Sequence, residues 1–215
     1  MAPDFLQQQL ENGVDALGLH LPVGAVQKLL DYLGLIVRWN AAYNLTAVRE
    51  PGQMVTRHLL DSLAVLPFVQ GGSLADLGTG AGLPGVPLGV ARPDIQVTLV
   101  DSNGKKARFL REVLRALPLP NARVAQVRAQ DLEGRFDCIT ARAFASLHEM
   151  LEWGGHALAP RGLWLALKGK AEQKESMQVP AGFRIEAVHR LDVPGLDAER
   201  HAVAIRRVRA GGRQC

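Results

Sequence analysis

The sequence predicts an α/β protein in which a mostly parallel, seven-stranded sheet follows an N-terminal helical extension. Three observations carry this. From Ser73 onward short apolar runs alternate with stretches of helical periodicity, the pattern of βαβ units. A glycine-rich turn directly follows the first of these runs. The last two runs, Phe183 to Leu191 and Ala202 to Val208, are separated by a Pro194-Gly195 turn with no helix between, so they read as an antiparallel pair.

In the first seventy residues, Val26, Leu29, Leu30, Leu33, Ile36 and Val37 recur at helical spacing after Pro22. A further helix starts near Pro51, with Met54, His58 and Ser62 on one face and Leu59, Leu63 and Leu66 on another. Pro67 and Gly71-Gly72 interrupt it. We divide the chain into an extension, 1–70, and a core, 71–215. Core strands are expected at Ser73 to Leu77, Gln96 to Asp101, Ala122 to Val127, Asp137 to Ala141 and Leu163 to Leu167, ahead of the antiparallel pair. Helices are expected at Pro84 to Ala91, Lys105 to Leu117 and Leu147 to Leu158. The second of these buries Leu110, Val113, Leu114 and Leu117 and turns Lys105, Arg108 and Arg115 outward.

With 215 residues the chain accommodates one core and one appendage, and 47% apolar with 21% charged residues is ordinary for a globular protein. Apolar stretches fall well short of the ~20 residues that cross a bilayer, and the acidic start lacks a signal peptide's basic region, so no membrane contact and a cytoplasmic location are expected. Two cysteines, Cys138 and Cys215, and six scattered histidines give no disulfide framework and no metal site. The net charge of +4 is uneven. Arg200, Arg206, Arg207, Arg209 and Arg213 crowd the last residues with no acid, which fits a surface facing a polyanion; Arg207 and Arg209 would share one side of a strand.

The strongest local signal is Asp76-Leu77-Gly78-Thr79-Gly80-Ala81-Gly82-Leu83-Pro84-Gly85, between a strand and a helix. Gly78, Gly80 and Gly82 let the backbone approach a ligand, and Pro84 suits a first helical turn. Asp101, closing the next strand, can accept from both ribose hydroxyls of an adenosine-containing ligand. The glycine spacing alone also satisfies a dinucleotide fingerprint. Asp76 two residues before Gly78, Pro84 beside the supposed third glycine and the terminal antiparallel pair favour S-adenosylmethionine instead. The layout resembles a class I, Rossmann-like methyltransferase.

Several blocks are more specific: Tyr43-Asn44-Leu45-Thr46, Arg57-His58-Leu59-Leu60-Asp61-Ser62, Gly82-Leu83-Pro84-Gly85, Asp101-Ser102 with Lys105-Lys106, Arg142-Ala143-Phe144-Ala145-Ser146-Leu147, and Ala166-Leu167-Lys168-Gly169. Through these, over about residues 40 to 170, the chain resembles the glucose-inhibited division protein B family, bacterial enzymes that methylate N7 of one guanine in 16S ribosomal RNA. The resemblance implies that Gly78 and Leu83 line the methionine and adenosine side, that Asp101 holds the ribose, that Ala129 and Gln130 flank the adenine, and that Arg142 stands at the mouth of the site. It also implies that Asn44, Arg57 and His58 wall the target-base pocket. The sequence departs from the family at Gln130, where relatives tend to carry an acid; a main-chain carbonyl or Asp131 could serve the adenine there.

N7 of guanine carries a lone pair and no proton, so no general base is expected, only alignment of nucleophile, methyl carbon and sulfur. Arg142 and Lys168, at carboxyl ends of core strands, are better suited to clamp RNA phosphate or the cofactor carboxylate than to do chemistry. Lys105, Arg108, Arg206, Arg207 and Arg209 are further candidates for phosphate contacts. The partner implied is 16S ribosomal RNA or the small ribosomal subunit, met by a monomer. The glycine loop alone leaves open a same-fold methyltransferase with another substrate, or a nucleic-acid-binding protein that keeps the fold without turnover.

Overall fold

A computed structural model describes residues 3–142, 146–169 and 178–208. Three helical segments come first: α1 (Pro3–Ala16), α2 (Ala25–Tyr43) and a composite α3, which is α-helical over Pro51–Met54, π-helical over Val55–Leu60 and α-helical again over Asp61–Leu63. Then follow β1 (Ser73–Leu77), α4 (Gly85–Ala91), β2 (Gln96–Val100), α5 (Gly104–Ala116), β3 (Ala122–Ala125), β4 (Phe136–Arg142), α6 (Leu147–Gly154), β5 (Leu158–Lys168), β6 (Phe183–Arg190) and β7 (His201–Arg207). The sheet order is β3-β2-β1-β4-β5-β7-β6, and only β7 runs against its neighbours. The expected architecture is present.

The central strands are apolar on both sides because helices cover both faces. Leu74, Leu99 and Leu165 join one cluster; Ala75, Leu77, Ile139 and Trp164 join the other, under Leu147, Met150 and Leu151 of α6. The helices begin where side chains can satisfy free N–H groups. Asn103 accepts from the N–H groups of Lys105 and Lys106 ahead of α5, and Ser146 with Glu149 forms a capping box on α6.

Leu10, Leu29, Tyr32, Ile36, Leu59 and Leu63 from the extension share a single cluster with Leu74, Leu99, Phe109 and Leu110. The N-terminal helices therefore complete one face of the sheet rather than forming a separate core. Tyr32 makes the link to the glycine loop: its side chain is fully buried, and its hydroxyl donates to the Ala81 carbonyl at 2.6 Å.

Three local expectations differ from the structure. The chain enters β5 at Leu158, before Pro160 and Gly162, because the register shifts between Phe136 and Cys138 and the opposing residues bulge. The helix α6 stops at Gly154 and a 3-10 turn, Gly155–Ala157, takes over. Its close packing on the sheet explains the glycine, since a Cβ on Gly154 would lie 2.5 Å from Leu77. Arg206 and Arg207, expected as phosphate contacts, are engaged in contacts within the protein. Arg206 bonds Glu186, Gln70 and the Arg161 carbonyl, while Arg207 bonds the carbonyls of Gly155 and Leu158 and covers the Phe183 ring at 5.2 Å. Arg115, exposed on α5, pairs with Glu112 at 2.7 Å. Arg209, Arg213, Cys215 and residues 143–145 of the Arg142 block lie outside the described residues.

Asp76 on β1 is fully buried and accepts three hydrogen bonds: from the Thr79 hydroxyl in the glycine loop, from the Gly85 N–H at 2.8 Å where α4 starts, and from the Thr140 hydroxyl of β4 at 2.9 Å. Burial is the largest influence and raises its pKa to about 6, against the lowering effect of those bonds and of Arg142. A raised folded-state pKa means this group's contribution to stability is greatest below pH 4 and fades as pH climbs through about 6. We predict that Asp76→Asn, which can keep the Gly85 bond, removes a pH-dependent stability difference of about 2–3 kcal/mol between pH 4 and 7. Denaturant melts of both proteins across that range would check it; parallel curves would contradict it. Asp76→Ala strands three donors and should cost about 3 kcal/mol or more at any pH. Tyr32→Phe should cost about 1 kcal/mol of stability and weaken cofactor binding severalfold by freeing Ala81, read by calorimetric titration.

Candidate active site

The parallel register lines up four residues along the carboxyl edge of the sheet. Leu77 pairs with Val100 and with Ala141, and Arg142 pairs with Leu167. Gly78 and Asp101 therefore stand just past the ends of β1 and β2, while Arg142 and Lys168 end β4 and β5. This edge spans the change of direction in strand order between β1 and β4, where open α/β sheets bind ligands.

Above β1 and β2 lies a cleft of about 400 Å³ lined by Gly78, Asp101, Ser102, Lys106, Ala129, Gln130 and Trp153, with Val100 and Val127 as apolar lining. Positive φ at Gly78 (63°) and Gly80 (61°) shapes the loop in a conformation that disfavours side chains. Asp101 is 7% exposed and is held by its surroundings: Oδ2 accepts from the Gly80 N–H at 3.0 Å and lies 3.7 Å from Lys106 Nζ, and Oδ1 accepts from the Asn103 N–H at 2.9 Å. Each oxygen keeps room for another donor. Ala129 and Gln130 lie in a short 3-10 turn and both line the cleft. Gly82 and Leu83 do not. Leu83 is 2% exposed, and a Cβ on Gly82 would meet Val86, the Tyr32 hydroxyl and Leu110. Their surroundings are the packing that holds the loop on α2 and α5.

A second cleft, of about 350 Å³, lies over β4 and β5 and is lined by Arg57, His58, Asp61, Arg142, Lys168 and Arg200 among others. The π-helical segment of α3 supplies Arg57 and His58, and Asp61 follows it directly. Wide turns of this kind recur at functional sites. His58 Nε2 lies 2.9 Å from the Thr46 hydroxyl. Burial above all lowers its pKa to about 4, against a raising hydrogen bond to the Arg57 backbone and with help from the Arg142 charge, so the ring is neutral at pH 7. Asp61 is 6% exposed and pairs with Arg142 at 3.4 Å and Arg200 at 2.9 Å. Lys168 is 8% exposed, and the next residue's carbonyl contacts His201 Nδ1 at 3.0 Å.

Asn44 stands apart from this lining. It caps α2 in a left-handed conformation, φ 48°, and its side chain accepts from Arg49 at 3.3 Å. The structure thus brings His58, Arg142 and Lys168 together and leaves Asn44 at the helix end. Trp153 and Arg200 were not singled out from the sequence as members of either cleft. Trp153 carries a weak sequence signal, an aromatic off the apolar Leu147, Met150, Leu151 face; Arg200 was seen only as one charge in a basic tail.

Among the described residues no group of His, Cys, Asp and Glu is placed to hold a metal, and no helix is long and apolar enough to cross a membrane. Cys138 is buried, and burial pushes its thiol up to about 12, which makes it inert.

Comparison with known proteins agrees with this geometry. The family model described as rRNA small subunit methyltransferase G (GidB) matches residues 25–203. A protein named ribosomal RNA small subunit methyltransferase G from Xanthomonas euvesicatoria pv. vesicatoria is 54% identical over 96% of this chain and 97% of its own length. A protein of the same name from Stenotrophomonas maltophilia is 54% identical over 94% of this chain and 96% of its own. The crystal structure of a SAM-dependent methyltransferase from Aquifex aeolicus shares the fold at 18% identity, with a TM-score of 0.57, covering 75% of this chain and 96% of that one. With the family model spanning most of the chain and relatives more than half identical across nearly all of it, this chain belongs to the rRNA small subunit methyltransferase G family.

Proposed function

We propose that the chain transfers the methyl group of S-adenosylmethionine to N7 of a guanine in 16S ribosomal RNA. The observation that carries this is the pair of clefts on one sheet edge, one built around Asp101 and the other rich in cations. The first fits the cofactor. Its carboxylate is oriented by two backbone N–H groups with acceptor capacity left for ribose hydroxyls, and Val100, Val127 and the Trp153 ring supply apolar surface for a purine. Gly78 admits the ligand close to the backbone, and Ala129 and Gln130 border the purine end. Gly80 acts through Asp101; Gly82 and Leu83 act by holding the loop in shape.

S-adenosylmethionine, when bound, supplies an electrophilic methyl on a sulfonium. The protein's part is positioning. Arg142, Lys168 and Arg200 offer donors for RNA phosphate, and Arg142 or Lys168 for the cofactor carboxylate. His58 is held neutral, so it presents no cation to a purine that gains positive charge as the methyl arrives. Asn44, at the end of α2, shapes the Asn44–Arg49 turn that leads to Thr46 and His58. The extension and the sheet serve as one folded unit, acting as a monomer in the cytoplasm.

Labelled methyl transfer to small-subunit RNA, isolated and within the subunit, followed by nucleoside analysis, tests the reading. The product should be 7-methylguanosine, and methyl on any other base or on protein would refute the substrate. Asp101→Ala should raise the cofactor KM about 10- to 100-fold, the loss expected for hydrogen bonds to a charged group. Because His58 titrates near pH 4 and no base is required, the single-turnover rate should be flat from about pH 6.5 to 8.5. A rate climbing tenfold per pH unit in that window would show that a base is needed.

A further inference from the structure

The cation-rich cleft contains one buried carboxylate. In a surface meant for RNA, a fixed negative charge opposes binding, so Asp61 calls for a physical reason. Its position supplies one. Asp61 sits in the last turn of α3, Arg142 at the end of β4 and Arg200 just before β7, three separate elements joined through a single side chain. One carboxylate oxygen takes Arg142 Nη1 and the other takes Arg200 Nε. Without it, Arg142 would lose its one side-chain hydrogen bond among the described residues, and Arg200 would keep only the Glu199 carbonyl.

The contacts are one-sided on each arginine. Arg200 spends Nε on Asp61 and Nη1 on the Glu199 carbonyl, while its Nη2 has no partner among the described residues. Arg142 spends Nη1 on Asp61, and its Nε and Nη2 have none there. Both side chains are partly open, 29% for Arg142 and 26% for Arg200, whereas Asp61 is 8% open. The carboxylate is thus more buried than the cations it holds, and each arginine keeps donors beyond the one spent on Asp61.

We propose that Asp61 is a positioning residue for RNA, holding Arg142 and Arg200 so that their remaining N–H groups grip backbone phosphate beside the target guanine. This rests on the methyltransferase reading above. It makes a prediction opposite in sign to simple electrostatics. Neutralising an acid in an RNA-binding cleft should tighten binding if the acid only contributes charge. If Asp61 positions the arginines, Asp61→Asn should weaken binding instead.

The test uses the full-length protein and small ribosomal subunits that lack the methyl group. For Asp61→Asn we expect the subunit KM to rise about fivefold or more, with kcat and the S-adenosylmethionine Kd within about twofold of the parent. Arg200→Gln should raise the same KM, and the double variant should fall clearly short of the product of the two single effects, because both changes break the Asp61–Arg200 pair. Tighter or unchanged subunit binding by Asp61→Asn would overturn the proposal, as would additive effects. So would loss of S-adenosylmethionine binding, because Asp61 would then act on the cofactor or the fold and not on RNA alone. If the unmodified protein transfers no methyl to the subunit, it is the functional reading that fails, and the two failures are told apart.

Discussion

Asp76 is a carboxylate placed where burial makes charge costly, and the geometry of the whole site passes through it. Its three acceptor contacts tie β1 to β4 through Thr140, to the glycine loop through Thr79 and to the start of α4 through Gly85. Those are the parts whose relative placement sets the carboxyl edge of the sheet. Gly78 leaves the loop there, and Arg142 leaves β4 two residues past Thr140. A hydrophobic residue in its place could fill the space, but it would leave the Gly85 N–H and two hydroxyls unpaired in the interior. The pinning of the loop from below by Asp76 is matched from above by the Tyr32 hydroxyl on Ala81.

That second tie changes how the helical extension is understood. Sequence periodicity marks it off from the alternating core, and a boundary near residue 70 is visible in composition. In space the boundary vanishes, because Leu29, Tyr32 and Ile36 of α2 lie in the cluster that also holds Leu99, Phe109 and Leu110. The extension also supplies Arg57, His58 and Asp61 to the cation-rich cleft. The extension thus braces the glycine loop through Tyr32 and lines the cation-rich cleft through Arg57, His58 and Asp61.

The sheet was legible in the sequence for a simple reason: parallel strands buried on both faces read as short apolar runs, and Ser73–Leu77 or Gln96–Val100 have no other good interpretation. Asp101 was legible because strand, glycine turn and acid occur in fixed order. What could not be read depended on distant partners. Nothing local distinguishes Arg206 and Arg207, which brace Glu186 and the Gly155 turn, from Arg200, which points into the cleft. All three fall within eight residues of the basic tail, and only the pairing of β7 with β5 and β6 sorts them. The bulge that starts β5 at Leu158 was hidden by Pro160 and Gly162, which signal a turn in isolation.

The distribution of charge also follows from the chemistry proposed. A reaction that moves positive charge onto a purine is hindered by a cation against the ring and helped by cations that hold the phosphates away from it. The cleft separates these requirements by burial. His58, deep and depressed to a pKa of about 4, stays neutral, while the partly open guanidiniums of Arg142 and Arg200 share one buried carboxylate. The charge of Arg142 adds to burial in disfavouring protonation of His58. On the proposed function, one arrangement serves substrate binding and methyl transfer without a residue that must change its protonation state.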